Sequence, residues 1–226
     1  MRIYSIFLSV DGECNKYGAG TFSTFIRFAG CAMAGNYEKH CGYCDTKYAQ
    51  AKDSGMEMGV SDVMREVRAL GCSKVTITGG DPLCQFKALN SLLDALVKES
   101  YRITLETNGS YSVRHLCGVD SVIMDYKLSN SGVTEFMDDL FFTELKENDF
   151  VKMVVGKSGD YYEAIDVMLR LKEGGCKARF AFSPVQGVLN PSLLVDWLKT
   201  DQLFDVMVNL QIHKYIWPNV KIGEEV

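Results

Sequence analysis

Residues 3–10 (Ile-Tyr-Ser-Ile-Phe-Leu-Ser-Val) are rich in β-formers and alternate in polarity, which predicts a strand that Asp11-Gly12-Glu13 ends. Residues 22–28 (Phe-Ser-Thr-Phe-Ile-Arg-Phe) predict a second strand, stopping at Gly30 just before Cys31. From Ser61 the period lengthens. Ser61 and Asp62 are helix-start signals, Val63, Val67 and Leu70 recur at helical spacing, and Gly71 ends the run. Residues 74–78 read as a short strand followed by Gly79-Gly80-Asp81-Pro82, and residues 86–98 put Phe86, Leu89, Leu92, Leu93 and Leu96 on one helical face. Further strands are predicted at 102–107, 121–125, 150–155, 178–182 and 206–212. Helices are predicted at 134–146 and 160–173, with a short one after Pro191.

Strands alternating with helices from residue 22 onward imply six or seven parallel strands joined by right-handed crossovers. An α/β chain of this kind forms an open sheet, a closed barrel or a barrel with a gap, and in all three ligands collect at the C-terminal strand ends. The unusual residues sit at those ends: Cys31, Gly79-Gly80, Thr107-Asn108, Asp125 to Lys127 and Ser183-Pro184. A single rim holds them all.

Composition narrows the picture only a little. The 226 residues suit a single domain covering 1–226, and 47% hydrophobic with 23% charged residues is a soluble globular composition. A formal charge of -5 and a pI near 5.3 argue against nucleic acid as the main partner. No signal-type leader and no apolar run of roughly 18 residues is present, which predicts a cytoplasmic protein without a membrane partner. In that compartment the eight cysteines read as reduced thiols rather than a disulfide framework.

Cys14, Cys72, Cys84, Cys117 and Cys176 are scattered, whereas Cys31, Cys41 and Cys44 fall within one loop. The Cys41-Gly-Tyr-Cys44 spacing lets one tight turn aim two thiolates at a common centre, and Cys31 arrives from a strand end. Three thiolates neither close a tetrahedral zinc site nor hold every iron of a cubane, so they suit a centre with one open coordination position. His40 offers the alternative of a closed Cys3His zinc site. Spacing alone leaves both open; the polar and glycine-rich motifs on the same rim are what a zinc staple leaves unexplained.

The other signals are individually weak. Gly79-Gly80 permits close approach of a ligand to the main chain, and Glu106-Thr107-Asn108-Gly109 reads first as a turn. Arg27 lies in an apolar strand, where a charge is costly unless paired, so it is either in an ion pair or aimed at an anionic ligand. Gln211 and His213 share a face if the last segment is a strand. Thr46, beside the cysteine loop, carries a hydroxyl able to complete a Mg2+ shell.

Taken together, Gly30-Cys31, Cys41-Gly-Tyr-Cys44-Asp45-Thr46, Thr78-Gly79-Gly80-Asp81-Pro82, Glu106-Thr-Asn-Gly109 and Gln211-Ile-His213-Lys214 resemble a radical S-adenosylmethionine enzyme. More narrowly they resemble the 7-carboxy-7-deazaguanine synthase family, whose motifs match in order from residue 9 to residue 218. Departures are local. Nine residues separate Cys31 from Cys41 instead of the common Cys-x3-Cys interval, Asp11 stands for a Gln, Cys14 for a Gly and Asp81 for a Glu.

The resemblance implies an incomplete (β/α) TIM-like barrel, a [4Fe–4S] cluster on Cys31, Cys41 and Cys44, S-adenosylmethionine, and Mg2+ on Thr46. It implies cofactor contacts from Tyr43, Cys44, Asp45, Gly80, Asp125, Tyr126 and Lys127, and from Ser183, Pro184, Val185 and Gln186. Substrate contacts fall to Val10, Asp11 and Gly12 by main chain, and to Glu13, Arg27, Thr78 and Pro218, with Glu13, Arg27 and His213 in catalytic roles. The implied reaction is hydrogen abstraction from C6 of 6-carboxy-5,6,7,8-tetrahydropterin, ring contraction and loss of ammonia, in queuosine and deazapurine biosynthesis. A flavodoxin or ferredoxin as electron donor and a homodimer are implied as well. The runner-up within the superfamily is an activase for a glycyl-radical enzyme, and outside it a zinc-stabilised binding module.

Overall fold

The computed structural model describes residues 1–34 and 41–219; residues 35–40 of the insert between Cys31 and Cys41, His40 among them, lie outside the described residues. In chain order the strands are β1 (Arg2–Asp11), β2 (Thr21–Phe28), β3 (Met56–Glu57), β4 (Lys74–Gly79), β5 (Arg102–Thr107), β6 (Ser121–Tyr126), β7 (Phe150–Val155), β8 (Arg179–Pro184) and β9 (Met207–Val208). The helices are α1 (Val60–Leu70), α2 (Phe86–Lys98), α3 (Asp139–Phe142), α4 (Ser158–Glu173), α5 (Pro191–Thr200) and α6 (His213–Ile216).

All nine strands join one sheet in the order β3-β1-β2-β4-β5-β6-β7-β8-β9. From β2 to β9 every pairing is parallel, which makes seven parallel strands, while β1 runs antiparallel to both β2 and β3. The sheet does not close on itself. Its two ends are instead bridged by the turn after β1, where Cys14 N donates to Asn209 Oδ1 at 2.8 Å, just past β9. Cys14 is fully buried there against Ile123, Phe150 and Ala181 and plugs the N-terminal end of the barrel.

Alternation along the strands separates two interiors. Val75 and Ile77 of β4, Ile103 and Leu105 of β5 and Val151 and Met153 of β7 face the helices. There they meet Leu89, Leu92 and Leu96 of α2, each buried leucine contributing about 1.5–3 kcal/mol. The opposite residues, Thr78, Glu106, Asp125 and Lys152, face the concave side and line a cavity.

Helix boundaries follow local chemistry. Gly59 N donates to Asp62 Oδ2 at the start of α1, and Gly71 ends it at φ +70°. Asp160 receives the N–H groups of Gly156 and Lys157 at the start of α4.

Three expectations are corrected. The helix predicted over 134–146 is a 3-10 turn at Thr134–Phe136 and the single-turn α3, because Met137 is extended and Asp138 turns its carboxylate onto Leu140 N as a cap. The strand predicted over 206–212 pairs only at Met207–Val208; Asn209 N still donates to Phe182 O at 2.8 Å, after which the chain leaves the sheet and turns into α6 at His213. The alternation of strand and helix is also incomplete: residues 108–120, between β5 and β6, contain no helix.

Candidate active site

At the C-terminal ends of the strands the chain leaves β2 through Gly30, at φ +95°. The returning limb lies alongside it, with Gly30 N donating to Ala49 O at 2.8 Å and Cys31 N to Gln50 O at 3.0 Å. Cys44 N donates to Cys41 O at 3.1 Å and closes the Cys-x-x-Cys turn. Met33, Cys41 and Val133 form a dry wall behind the thiols. Two side-chain amides point at sulfur: Gln50 Nε2 lies 3.1 Å from Cys44 Sγ and Asn108 Nδ2 lies 3.4 Å from Cys31 Sγ. Donors of this kind suit thiolates that share an electron-accepting cluster. Among the described residues no three His, Cys, Asp or Glu side chains converge on a single ion.

The Gly79-Gly80 turn lies against the same loop. A Cβ on Gly80 would sit 2.3 Å from Gly30 O and 2.8 Å from Ala49 O, so the three backbones meet with no room for a side chain. Asp81, fully buried, fixes the turn by accepting Leu83 N, Thr107 Oγ1 and Asn108 N, each at 2.8 Å. The Asp that stands for a Glu is therefore an internal bracket joining the ends of β4 and β5.

Below the thiols the cavity encloses about 700 Å³. Its charged groups are interlocked. Lys152 Nζ lies 3.2 Å from both Glu13 Oε2 and Asp125 Oδ1, and Lys127 Nζ lies 2.7 Å from Asp125 Oδ2. Burial raises the Asp125 carboxyl, but Lys127 and Lys152 outweigh it and hold the group below the ordinary carboxylate range. Glu106 accepts from Thr78 Oγ1 at 2.7 Å and is pushed up to about 8, first by burial and then by Glu13. Arg27 has no carboxylate partner among the described residues. Its guanidinium stands over the rings of Phe7 at 5.5 Å and Tyr48 at 5.7 Å, with Nε buried and unpartnered. Arg27 lines the cavity. Asp11 contributes main chain to the lining, since its buried carboxylate is taken by Lys74 at 2.8 Å and Thr76 at 2.9 Å.

The C-terminal segment caps the cavity. Asp45 Oδ2 accepts Gln211 Nε2 at 3.2 Å and Lys214 Nζ at 3.0 Å, and Lys214 also donates to Gln211 Oε1. His213, Trp217 and Pro218 line the wall. Burial and then Lys214 depress the His213 pKa, favouring the neutral imidazole.

Val10, Asp11, Gly12, Glu13, Arg27, Cys31, Cys41, Tyr43, Cys44, Asp45, Thr46, Thr78, Gly80, Asp125, Lys127, Ser183, Pro184, Val185, Gln186, His213 and Pro218 all line this cavity. Tyr126 does not. Its ring packs on Phe142 and its hydroxyl meets Asp139 and Arg170, because alternation along β6 turns it to the helix side. The sequence reading places Asn108 on the rim without its bond to Cys31, and does not single out Lys152, Gln50 or Asn209. Lys152 carried a usable signal, a cation inside the apolar run Phe150-Val-Lys-Met-Val-Val155, the same argument that singled out Arg27.

Residues 26–199 match the family model described as the radical SAM superfamily. A 7-carboxy-7-deazaguanine synthase from Clostridium acetobutylicum is 37% identical over 227 residues, covering 98% of each chain. One from Chlorobaculum tepidum is 36% identical, covering 96% of this chain and 94% of its own. The crystal structure of QueE from Escherichia coli has the same fold, with a TM-score of 0.71 at 22% identity and 93% of both chains covered.

Proposed function

Because the chain belongs to the radical SAM superfamily, and within it to the 7-carboxy-7-deazaguanine synthases, we infer that it contracts the ring of 6-carboxy-5,6,7,8-tetrahydropterin with loss of ammonia. The observation that carries the reading is the meeting of two chemistries in one cavity. Three thiols with amide donors on two of their sulfurs line it, and so does Arg27, without a carboxylate partner among the described residues.

Cys31, Cys41 and Cys44 would hold a [4Fe–4S] cluster, and S-adenosylmethionine would bind beside it. When bound, the pair supplies the hydrogen-atom abstraction that starts the reaction. Gly80 presents main chain to the cofactor at the turn where no Cβ fits, and Asp125, Lys127 and residues 183–186 border it further along the rim. Arg27 takes the substrate carboxylate as a charge-assisted pair, and its aromatic sandwich keeps water from that pair. Glu13, Thr78 and the main chain of 10–12 take the polar edge of the pterin. Neutral His213 and Pro218 close the cavity from the C-terminal side. Thr46, on the cavity wall, would supply an oxygen ligand to Mg2+.

An activase for a glycyl-radical enzyme calls for an exposed docking face, whereas this cavity is sized for a small molecule. A flavodoxin or ferredoxin serves as electron donor, the chain works as one domain in a cytoplasmic homodimer, and the product feeds deazapurine synthesis. Among the described residues no helix is long and apolar enough to cross a membrane.

Anaerobic reconstitution with iron and sulfide, followed by reductant, S-adenosylmethionine, Mg2+ and the carboxytetrahydropterin, tests the reading. About four irons per chain and a deazaguanine chromophore are expected. A cluster without that product would return the substrate to question, and zinc in place of iron would overturn the enzyme reading.

A further inference from the structure

Lys152 stands on the concave face of β7, buried, with its ammonium 3.2 Å from Glu13 Oε2 and 3.2 Å from Asp125 Oδ1. Those carboxylates belong to opposite halves of the site. Glu13 follows β1, on the side of the gap that the plug bridges. Asp125 ends β6 and is shared with Lys127, which stands over the Tyr43 ring of the cysteine loop at 5.8 Å. Glu13 Oε2 is gripped a second time by Asn209 Nδ2 at 2.5 Å, and Asn209 Oδ1 holds the Cys14 N–H. The doubly held oxygen fixes the side chain of Glu13 in the cavity wall.

Packing alone does not account for a lysine here. Replacing a buried ion pair by apolar residues of similar volume is often neutral or stabilising, so the charges are not needed to fill the space. The three groups also line the cavity rather than the helix-facing core.

We propose that Lys152 is a positioning residue that couples the two ligand sites, holding Glu13 toward the pterin and Asp125 toward S-adenosylmethionine with one ammonium. The proposal rests on the roles given above to Glu13 and Asp125. Without Lys152 the Glu13 and Asp125 carboxylates lose the charge that stands between them. Each is then free to rotate away, and a fixed acceptor is lost. Burial depresses the Lys152 pKa, but Asp125, Glu13 and Glu106 outweigh it, so the side chain stays a cation across the working pH range.

The test uses the reconstituted holoenzyme and measures separate dissociation constants for S-adenosylmethionine and the carboxytetrahydropterin, with iron content and Tm alongside. Lys152→Met is expected to weaken both ligands by about tenfold or more, with iron content unchanged. Glu13→Gln is expected to weaken only the pterin, and Asp125→Asn only S-adenosylmethionine. Lys152→Arg, which keeps the charge, recovers both to within about threefold. If Lys152→Met does not fold, Lys152→Gln is judged by the same criteria. Unchanged affinity for S-adenosylmethionine in a charge-free variant, a loss of Tm with neither constant moved, or an arginine variant as weak as methionine would each overturn the coupling. A wild-type enzyme that binds S-adenosylmethionine but not the pterin would instead overturn the substrate assignment, and the S-adenosylmethionine constants would still decide the role of Lys152.

Discussion

Asn108 Nδ2 lies 3.4 Å from Cys31 Sγ, while the main-chain N–H of the same asparagine is fixed 2.8 Å from Asp81 Oδ2. The Gly-Gly-Asp-Pro turn thus reaches the cysteine loop through β5, and a buried carboxylate sets the position of a donor to sulfur. An N–H group aimed at a cluster thiolate stabilises the reduced state, because reduction adds negative charge to the sulfurs. Asn108→Leu is therefore expected to lower the reduction potential of the reconstituted cluster, on the order of tens of millivolts, with iron content near wild type. A redox titration followed by electron paramagnetic resonance reads the shift. An unchanged potential would mean that the contact does not survive in the loaded protein.

Gly80→Ala tests the meeting of three backbones. Its methyl would fall 2.3 Å from Gly30 O and 2.8 Å from Ala49 O, neither of which is a flexible side-chain end. The turn or the cysteine loop must move, and a cost above roughly 3 kcal/mol is expected, with loss of iron binding. Gly42→Ala is the control in the same loop, because its nearest neighbour stands at an ordinary 3.7 Å. Thermal unfolding and iron analysis separate the two; equal behaviour would refute the close-approach argument.

What the sequence disclosed follows from how strongly each segment repeats one period. β2, β4, β5, β7 and α2 lie within a residue or so of their predicted spans, because their apolar runs are long and flanked by glycine or charge. The rim was readable for the same reason, since strand ends mark themselves by polar breaks. The stretch 134–146 has helical apolar spacing but breaks, because Asp138 and Asp139 favour caps over helix interiors. The inward or outward sense of Tyr126 depends on register within the sheet, which a six-residue strand does not declare. Asn108, Gln50 and Asn209 act through partners 77, 6 and 196 residues away, and polar side chains in turns give no periodic signal of such pairings.

Lys214 and Asp45 are partly exposed, so their 3.0 Å pair is worth at most about 1 kcal/mol to global stability. Its effect belongs instead to the cap. Burial raises the Asp45 carboxyl, while Lys214 and Gln211 together bring it below its usual value. Lys214→Met removes one of the two ties between the C-terminal segment and Asp45 of the cysteine loop. Faster amide exchange across residues 211–218 and a several-fold higher KM for the pterin are expected, with Tm nearly unchanged. Unaltered exchange in that segment would show that the cap is held by Gln211 and packing alone.

Glu106 carries the clearest pH signature. Its folded pKa is pushed up to about 8 from an ordinary 4.5, first by burial and then by the neighbouring Glu13 charge. For an acid raised in this direction, the folded state holds its proton where the unfolded chain has already lost it. Its contribution to stability is therefore complete below about pH 4.5 and is lost as pH rises toward 8, at up to about 1.4 kcal/mol for each pH unit crossed. Glu106→Gln keeps the shape of the neutral carboxyl and can still accept from Thr78, but it has no proton to lose. Measured between pH 5 and 8, the Tm of the wild-type holoenzyme should fall more steeply than that of the glutamine variant, and above pH 8 the two curves should run parallel. Parallel curves across the whole range would show that Glu106 is already ionised in the folded protein. Lys152 would then have to balance three carboxylates rather than two.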